Sequence, residues 1–121
     1  MAIQHYSDLL VWQKAYTLAL SLHKVSNAFP KEERYGGLVD QLRRSSKSVC
    51  ANIAEGFGKS TGSRAEFKRY LMIARGSAYE TEVWLKFAVD LDYLPSAHGD
   101  ELKQACNEVA RMIYALHQRW E

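Results

Sequence analysis

This chain has few of the residues that staple, kink or anchor a polypeptide. Of its 121 residues only two are cysteines and two are prolines, and no apolar run approaches the roughly 20 residues that cross a bilayer. Cys50 and Cys106 fall inside helical patterns without a C-x-x-C partner, so they read as small buried thiols, neither disulfide nor metal site. Residues 1–6, Met-Ala-Ile-Gln-His-Tyr, lack the basic start and apolar run of a signal peptide. A cytoplasmic protein with no membrane partner is expected. His5, His23, His98 and His117 are scattered, with no H-E-x-x-H, no i to i+4 histidine pair and no Glu-x-x-His of the di-iron bundle kind. No metal or other cofactor is therefore expected. There is no Gly-x-Ser-x-Gly, and Ser45, Ser46 and Ser48 have no base evident in the sequence, so nucleophilic catalysis has no support. Gly56-Phe57-Gly58-Lys59-Ser60-Thr61-Gly62 imitates a phosphate-binding loop, but a P-loop places glycine where Ile53 stands and joins a strand to a helix. This stretch leaves a helix. Its glycines suit a helix C-cap and a turn, followed by a capping box, Ser63-x-x-Glu66.

What is present is apolar periodicity of three and four, with no alternating strand pattern and no internal repeat. With 47% hydrophobic and 25% charged residues, the chain suits one domain with its own core. Four helices are predicted, over about 8–29, 38–56, 64–91 and 100–120. Ser7 is the candidate N-cap of the first, and Pro30 ends it because the residue before proline avoids the helical region. His23 lies among apolar residues and reads as a hydrogen-bonded core histidine. Lys31-Glu32-Glu33-Arg34-Tyr35-Gly36-Gly37 forms a connector whose acids suit the N-terminus of the next helix. Asp90, Asp92 and Pro95 close the third helix. Short connections make neighbouring helices antiparallel, giving an all-α, up-down-up-down four-helix bundle.

Three further patterns bear on function. On the second helix, the seam Leu38, Leu42, Ser45/Ser46, Val49, Ile53 and Gly56 faces the core. Beside it Gln41, Ser48, Asn52 and Glu55, with Arg44, form a polar stripe, which reads as a register-fixing network rather than a catalytic site. Arg75 and Glu80 on the third helix are candidate members of that network. The third helix is also apolar on a second side, at Met72, Gly76, Tyr79 and Val83, about 150° from its core seam. A helix buried on two sides implies a neighbouring subunit, so these four are candidate oligomer-interface residues. Lastly, from Arg43 to Arg75 there are eight Lys or Arg and two acids, whereas the rest of the chain has eight basic and twelve acidic residues. Such asymmetry suits a partner that prefers one surface. Arg43, Lys47, Lys59, Arg64, Lys68 and Arg75 are the candidate phosphate contacts, with Arg43 and Lys47 expected to join the basic strip of the third helix.

Several ordered motifs carry a resemblance. Asp8-Leu9-x-Val11-Trp12-Gln13-Lys14-Ala15, Phe29-Pro30-x-Glu32-Glu33-Arg34-Tyr35-Gly36, Gln41-Leu42-Arg43-Arg44, Asn52-Ile53-Ala54-Glu55-Gly56 and Ala74-Arg75-Gly76-Ser77-x-x-Glu80 resemble the bacterial four-helix-bundle family named after the protein encoded in 23S ribosomal RNA intervening sequences. The similarity spans about Tyr6 to Leu94. It implies an antiparallel bundle assembling into a homopentamer. Relatives of the family include the accessory variability determinant of diversity-generating retroelements, a basic pentamer associating with nucleic acid and a reverse transcriptase. Residues and resemblance together lead to the expectation of a non-enzymatic oligomer holding RNA or DNA through phosphates. The alternative is a structural or protein-recruiting oligomer without direct nucleic-acid binding.

Overall fold

The computed structural model describes residues 2–120. Within them the chain forms four α-helices and no strand: α1 (Leu10–Ser26), α2 (Leu38–Gly58), α3 (Arg64–Asp90) and α4 (Ser96–Arg119). α1 packs on α2 and α4, and α3 on the same two, while no backbone contact joins α1 to α3 or α2 to α4. The helices therefore stand at the corners of a square in chain order, as short antiparallel connections require.

Helix ends follow local chemistry more closely than periodicity suggests. α1 begins at Leu10 because the preceding residues form a separate 3₁₀ turn, Tyr6–Asp8, capped by His5. Asp8 Oδ2 accepts the backbone N–H of His5 at 3.0 Å, and His5 Nδ1 accepts that of Ser7 at 3.3 Å. Ser7 is thus inside the turn and does not cap α1. After Ser26 the chain tightens to i to i−3 bonds through Phe29 and stops before Pro30. At α2, Glu33 reaches across the glycines: its Oε1 accepts the Leu38 N–H at 2.9 Å, and its Oε2 accepts the Tyr93 hydroxyl at 2.8 Å. These bonds, the Leu38 one foremost, hold the Glu33 carboxyl below its ordinary pKa. Gly36 supplies the left-handed turn residue, with φ of 71°.

α2 continues to Gly58, two residues past the expected C-cap. Gly56 is a packing glycine, since a Cβ there would stand 2.5 Å from Tyr70 Cβ. Ser63 Oγ accepts the Glu66 N–H and starts α3, while the Glu66 carboxylate turns to Arg69. α3 ends in a Schellman motif: Tyr93 N–H donates to Ala88 O at 2.8 Å, Asp92 N–H to Val89 O at 3.0 Å, and Asp92 has φ of 63°. α4 starts at Ser96, earlier than expected, directly after Pro95. Its first turn has few large apolar residues because Gly99 is buried against Val89, where a side chain would collide.

The core is divided along its length. One cluster centres on Ile53, Phe67, Leu71, Ala74, Val109 and Ile113, with Trp12, Phe57 and Trp120 packed on it. The other centres on Leu22, Phe29, Leu42, Leu85 and Cys106, with Tyr93 and Trp84 at its edge. Full burial of one such Leu, Ile or Phe side chain contributes about 1.5–3 kcal/mol. Buried Ser45 and Thr81 join α2 to α3 by a 2.8 Å hydrogen bond.

Candidate functional site

The polar residues of α2 and α3 separate into short sets. Thr81 Oγ1 donates to Ser45 Oγ, Ser48 and Ser77 share a hydrogen bond of 3.0 Å, and Asn52 Nδ2 donates to Ser48 O and Oγ, both at 2.9 Å. This ladder of small groups fixes the register of α2 on α3. Of the seven residues expected to form one network, Ser48 and Asn52 join the ladder. Glu55 instead accepts the Tyr70 hydroxyl at 3.0 Å and faces Lys59 at 3.5 Å. Glu80 is exposed and accepts the Trp84 indole N–H at 3.1 Å, while Arg44 is exposed without an ion-pair partner among the described residues. Arg75 lies between aromatic rings, 4.7 Å from the centroid of Tyr114 and 5.4 Å from that of Tyr79, with its Nε buried and unbonded. Of the ladder members on α3, periodicity places Thr81 on the core seam but does not single out Ser77, and only pairing with α2 reveals what either hydroxyl does.

The six candidate phosphate contacts are spread over three sides of the bundle. Arg43 is committed to the end of α1: its Nε donates to Ser26 Oγ at 2.8 Å and its Nη2 to Asn27 Oδ1 at 2.7 Å and His23 O at 3.3 Å. A guanidinium there satisfies terminal carbonyls and complements the helix dipole. Lys47 is exposed at the rim of a groove between α1 and α2. The expected union of Arg43 and Lys47 with the α3 strip does not occur, because α1 and α3 stand at opposite corners. Lys59 is at the α2–α3 turn, hydrogen-bonded to Tyr70 Oη at 2.8 Å, and that bond with the Glu55 charge raises its pKa. Arg64 and Lys68 make no ion pair among the described residues. Lys68 shares a shallow surface with Arg69, Met72, Ile73 and His117, and burial foremost, then the Lys68 charge, lowers the His117 pKa.

The outer side of α3 is apolar and uncovered. Gly76, Tyr79 and Val83 are exposed there, whereas Met72 is half-buried against the core. The seam is longer than periodicity indicated, continuing through Phe87 and Leu91, which with Val83 are 51%, 48% and 50% exposed. A family model described as 23S rRNA-intervening sequence protein matches residues 7–115.

The chain belongs to this family.

A solved structure from Bacteroides thetaiotaomicron VPI-5482, described as a protein of unknown function from the S23 ribosomal protein family, is similar with a TM-score of 0.79 and 25% identity over 89% of this chain and 98% of that one. No curated protein matches. Burial pushes the Cys50 thiol up to about 11 and the Cys106 thiol up to about 12. Among the described residues no group of three or more His, Cys, Asp or Glu side chains could hold a metal ion. His23 is half-buried at the α1–α2 groove, and no hydrogen bond to its ring is formed among the described residues, in contrast to the bonded core histidine expected. Burial, then the charges of Arg43 and Lys47, lowers its pKa.

Proposed function

We propose that this chain is a non-enzymatic, self-associating helical bundle, cytoplasmic, that holds RNA or DNA through phosphate contacts. The observation that carries this reading is the position of Arg64 and Lys68, without an ion-pair partner among the described residues, beside the uncovered apolar seam of α3. Subunits that associate through Gly76, Tyr79 and Val83 repeat those cations around the assembly, and avidity replaces the affinity that one chain of net charge +2 lacks. Arg75, held between Tyr79 and Tyr114, and Lys59 at the α2–α3 turn extend the cationic surface. The resemblance implies five copies, whereas the family description, 23S rRNA-intervening sequence protein, names the setting of the gene and no bound partner. The dispersal of the basic residues over three sides supports the second reading, a structural or protein-recruiting oligomer in which these charges only solvate the surface.

Fluorescence anisotropy with a structured RNA separates the two. Phosphate binding weakens steeply between 50 and 200 mM salt, roughly in proportion to the number of contacts. Charge reversal at Arg64 and Lys68 abolishes it while leaving the assembly intact. Binding that is absent, or indifferent to salt, in a well-folded oligomer overturns the nucleic-acid reading and leaves the recruiting one.

A further inference from the structure

We infer that the α3 seam of one subunit seats in the α1–α2 groove of the next copy of this chain, so that the assembly is built from one repeated head-to-tail contact. The inference rests on the self-association proposed above and adds which surface receives the seam.

The groove has a volume of about 570 Å³ and is lined mainly by apolar and small side chains, Tyr16, Leu20, Cys50, Ala51 and Ala54 among them, with Lys47 at the rim. Tyr16 and Leu20 are 47% and 46% exposed, too much apolar surface for chance scatter when it adjoins Ala51. The seam is a ridge on one helix, and the groove is a trough between two others. A trough does not fill itself, and two different surfaces that fit each other make a heterologous contact, which closes into a ring when the rotation permits. Because α1 and α3 occupy opposite corners of the bundle, the two surfaces face different directions, as such closure requires.

Height along the bundle selects the register. We take the ring axis parallel to the helices as part of this inference; rotation about such an axis does not translate, so residues at one height in the first subunit meet residues at the same height in the next. The Ser48–Ser77 hydrogen bond puts the Gly76 turn of α3 level with the part of α2 carrying Ser48, Cys50 and Ala51. Small residues there let two helices approach closely. Within its own subunit Gly76 needs no such smallness, since an added Cβ would meet nothing within 4 Å. The Ser45–Thr81 bond likewise puts Glu80 level with Arg44 and Lys47. All three are exposed, and among the described residues neither cation has an ion-pair partner and Glu80 has no cation against it. Charge as well as shape is therefore complementary.

Light scattering on the wild-type chain comes first, and a monomer at micromolar concentration overturns both the self-association and this inference. For an oligomer, Val83→Glu blocks the seam and Ala51→Arg blocks the groove, and each variant alone is expected to be monomeric with an unchanged helical circular-dichroism spectrum. Mixed, they are expected to form a 1:1 dimer, because each retains the surface that the other has lost. Leu20→Lys serves as a second groove block should Ala51→Arg unfold. Lys47→Glu and Glu80→Lys are each expected to weaken assembly about tenfold, with the double variant restoring it. If Val83→Glu is monomeric while both groove variants assemble like wild type, the groove is not the receptor, although self-association through α3 stands. Failure of the two folded, monomeric variants to dimerise on mixing also overturns the inference.

Discussion

Gly56, in the last turn of α2, and Gly76, in the interior of α3, have opposite reasons to be glycine. Gly56 is pressed against Tyr70 and Phe67, so Gly56→Ala places a Cβ 2.5 Å from Tyr70 Cβ and 3.1 Å from Phe67 Cδ1. Thermal unfolding is expected to report a loss of about 1–3 kcal/mol, typical of overpacking a core. Gly76 faces outward with no neighbour within 4 Å of an added Cβ. In a subunit held monomeric by Val83→Glu, Gly76→Ala is expected to stabilise by up to about 1 kcal/mol through helix propensity alone, measured by urea titration. Sequence periodicity assigned both glycines to apolar seams but could not separate them, because the difference lies in which helix stands opposite. Arg43 illustrates the same limit. It reads as part of a charge cluster until its three hydrogen bonds to the end of α1 are seen.

At the scale of elements, the termini carry most of the local information. The stop before Pro30, the Ser63 cap and the closure of α3 around Asp92 were legible because each depends on residues adjacent in sequence. The early start of α4 was not, since its first turn is held by Gly99 against Val89 rather than by an apolar stripe. The α3 closure also contains a replaceable strain. Asp92 adopts φ of 63° in the Schellman turn while making the position that glycine usually fills. Asp92→Gly is expected to raise stability by several tenths to about 1 kcal/mol, read as a higher urea midpoint with an unchanged m value. A lower midpoint would mean that the Asp92 side chain contributes more than the backbone strain costs.

For the whole molecule, acid is the destabilising direction. His23 has a pKa below its ordinary 6.5 in the folded state because burial foremost, and the Arg43 and Lys47 charges after it, oppose protonation. Above 6.5 it is neutral both folded and unfolded and contributes nothing to the pH dependence; below 6.5 the unfolded chain takes the proton more readily, so stability falls. His117 acts in the same sense. Glu33 has a folded pKa below 4.5, so its stabilisation is fully present above that value and is lost as pH falls through the lowered one. The melting temperature is thus expected to be level near neutrality and to decline in two stages. Replacing both His23 and His117 with leucine removes the first stage. Glu33→Gln removes the second and, by weakening the α2 cap, costs about 1 kcal/mol at neutral pH. A profile that is flat down to pH 4.5 in the wild type would contradict the histidine assignment.

The sequence by itself determined the four helices, their antiparallel order and the existence of a second apolar side on α3, because apolar periodicity and cap residues act within a turn or two of the chain. It also carried the family, through motifs distributed along most of its length. Only the tertiary structure decided how the polar and basic residues divide. Helix pairing joined Ser45 to Thr81 and Ser48 to Ser77, bound Arg43 to α1, and left Lys47 and Lys68 on different sides of the bundle. Those outcomes depend on which helix is placed beside which, a relation between residues distant in sequence that no local spacing encodes.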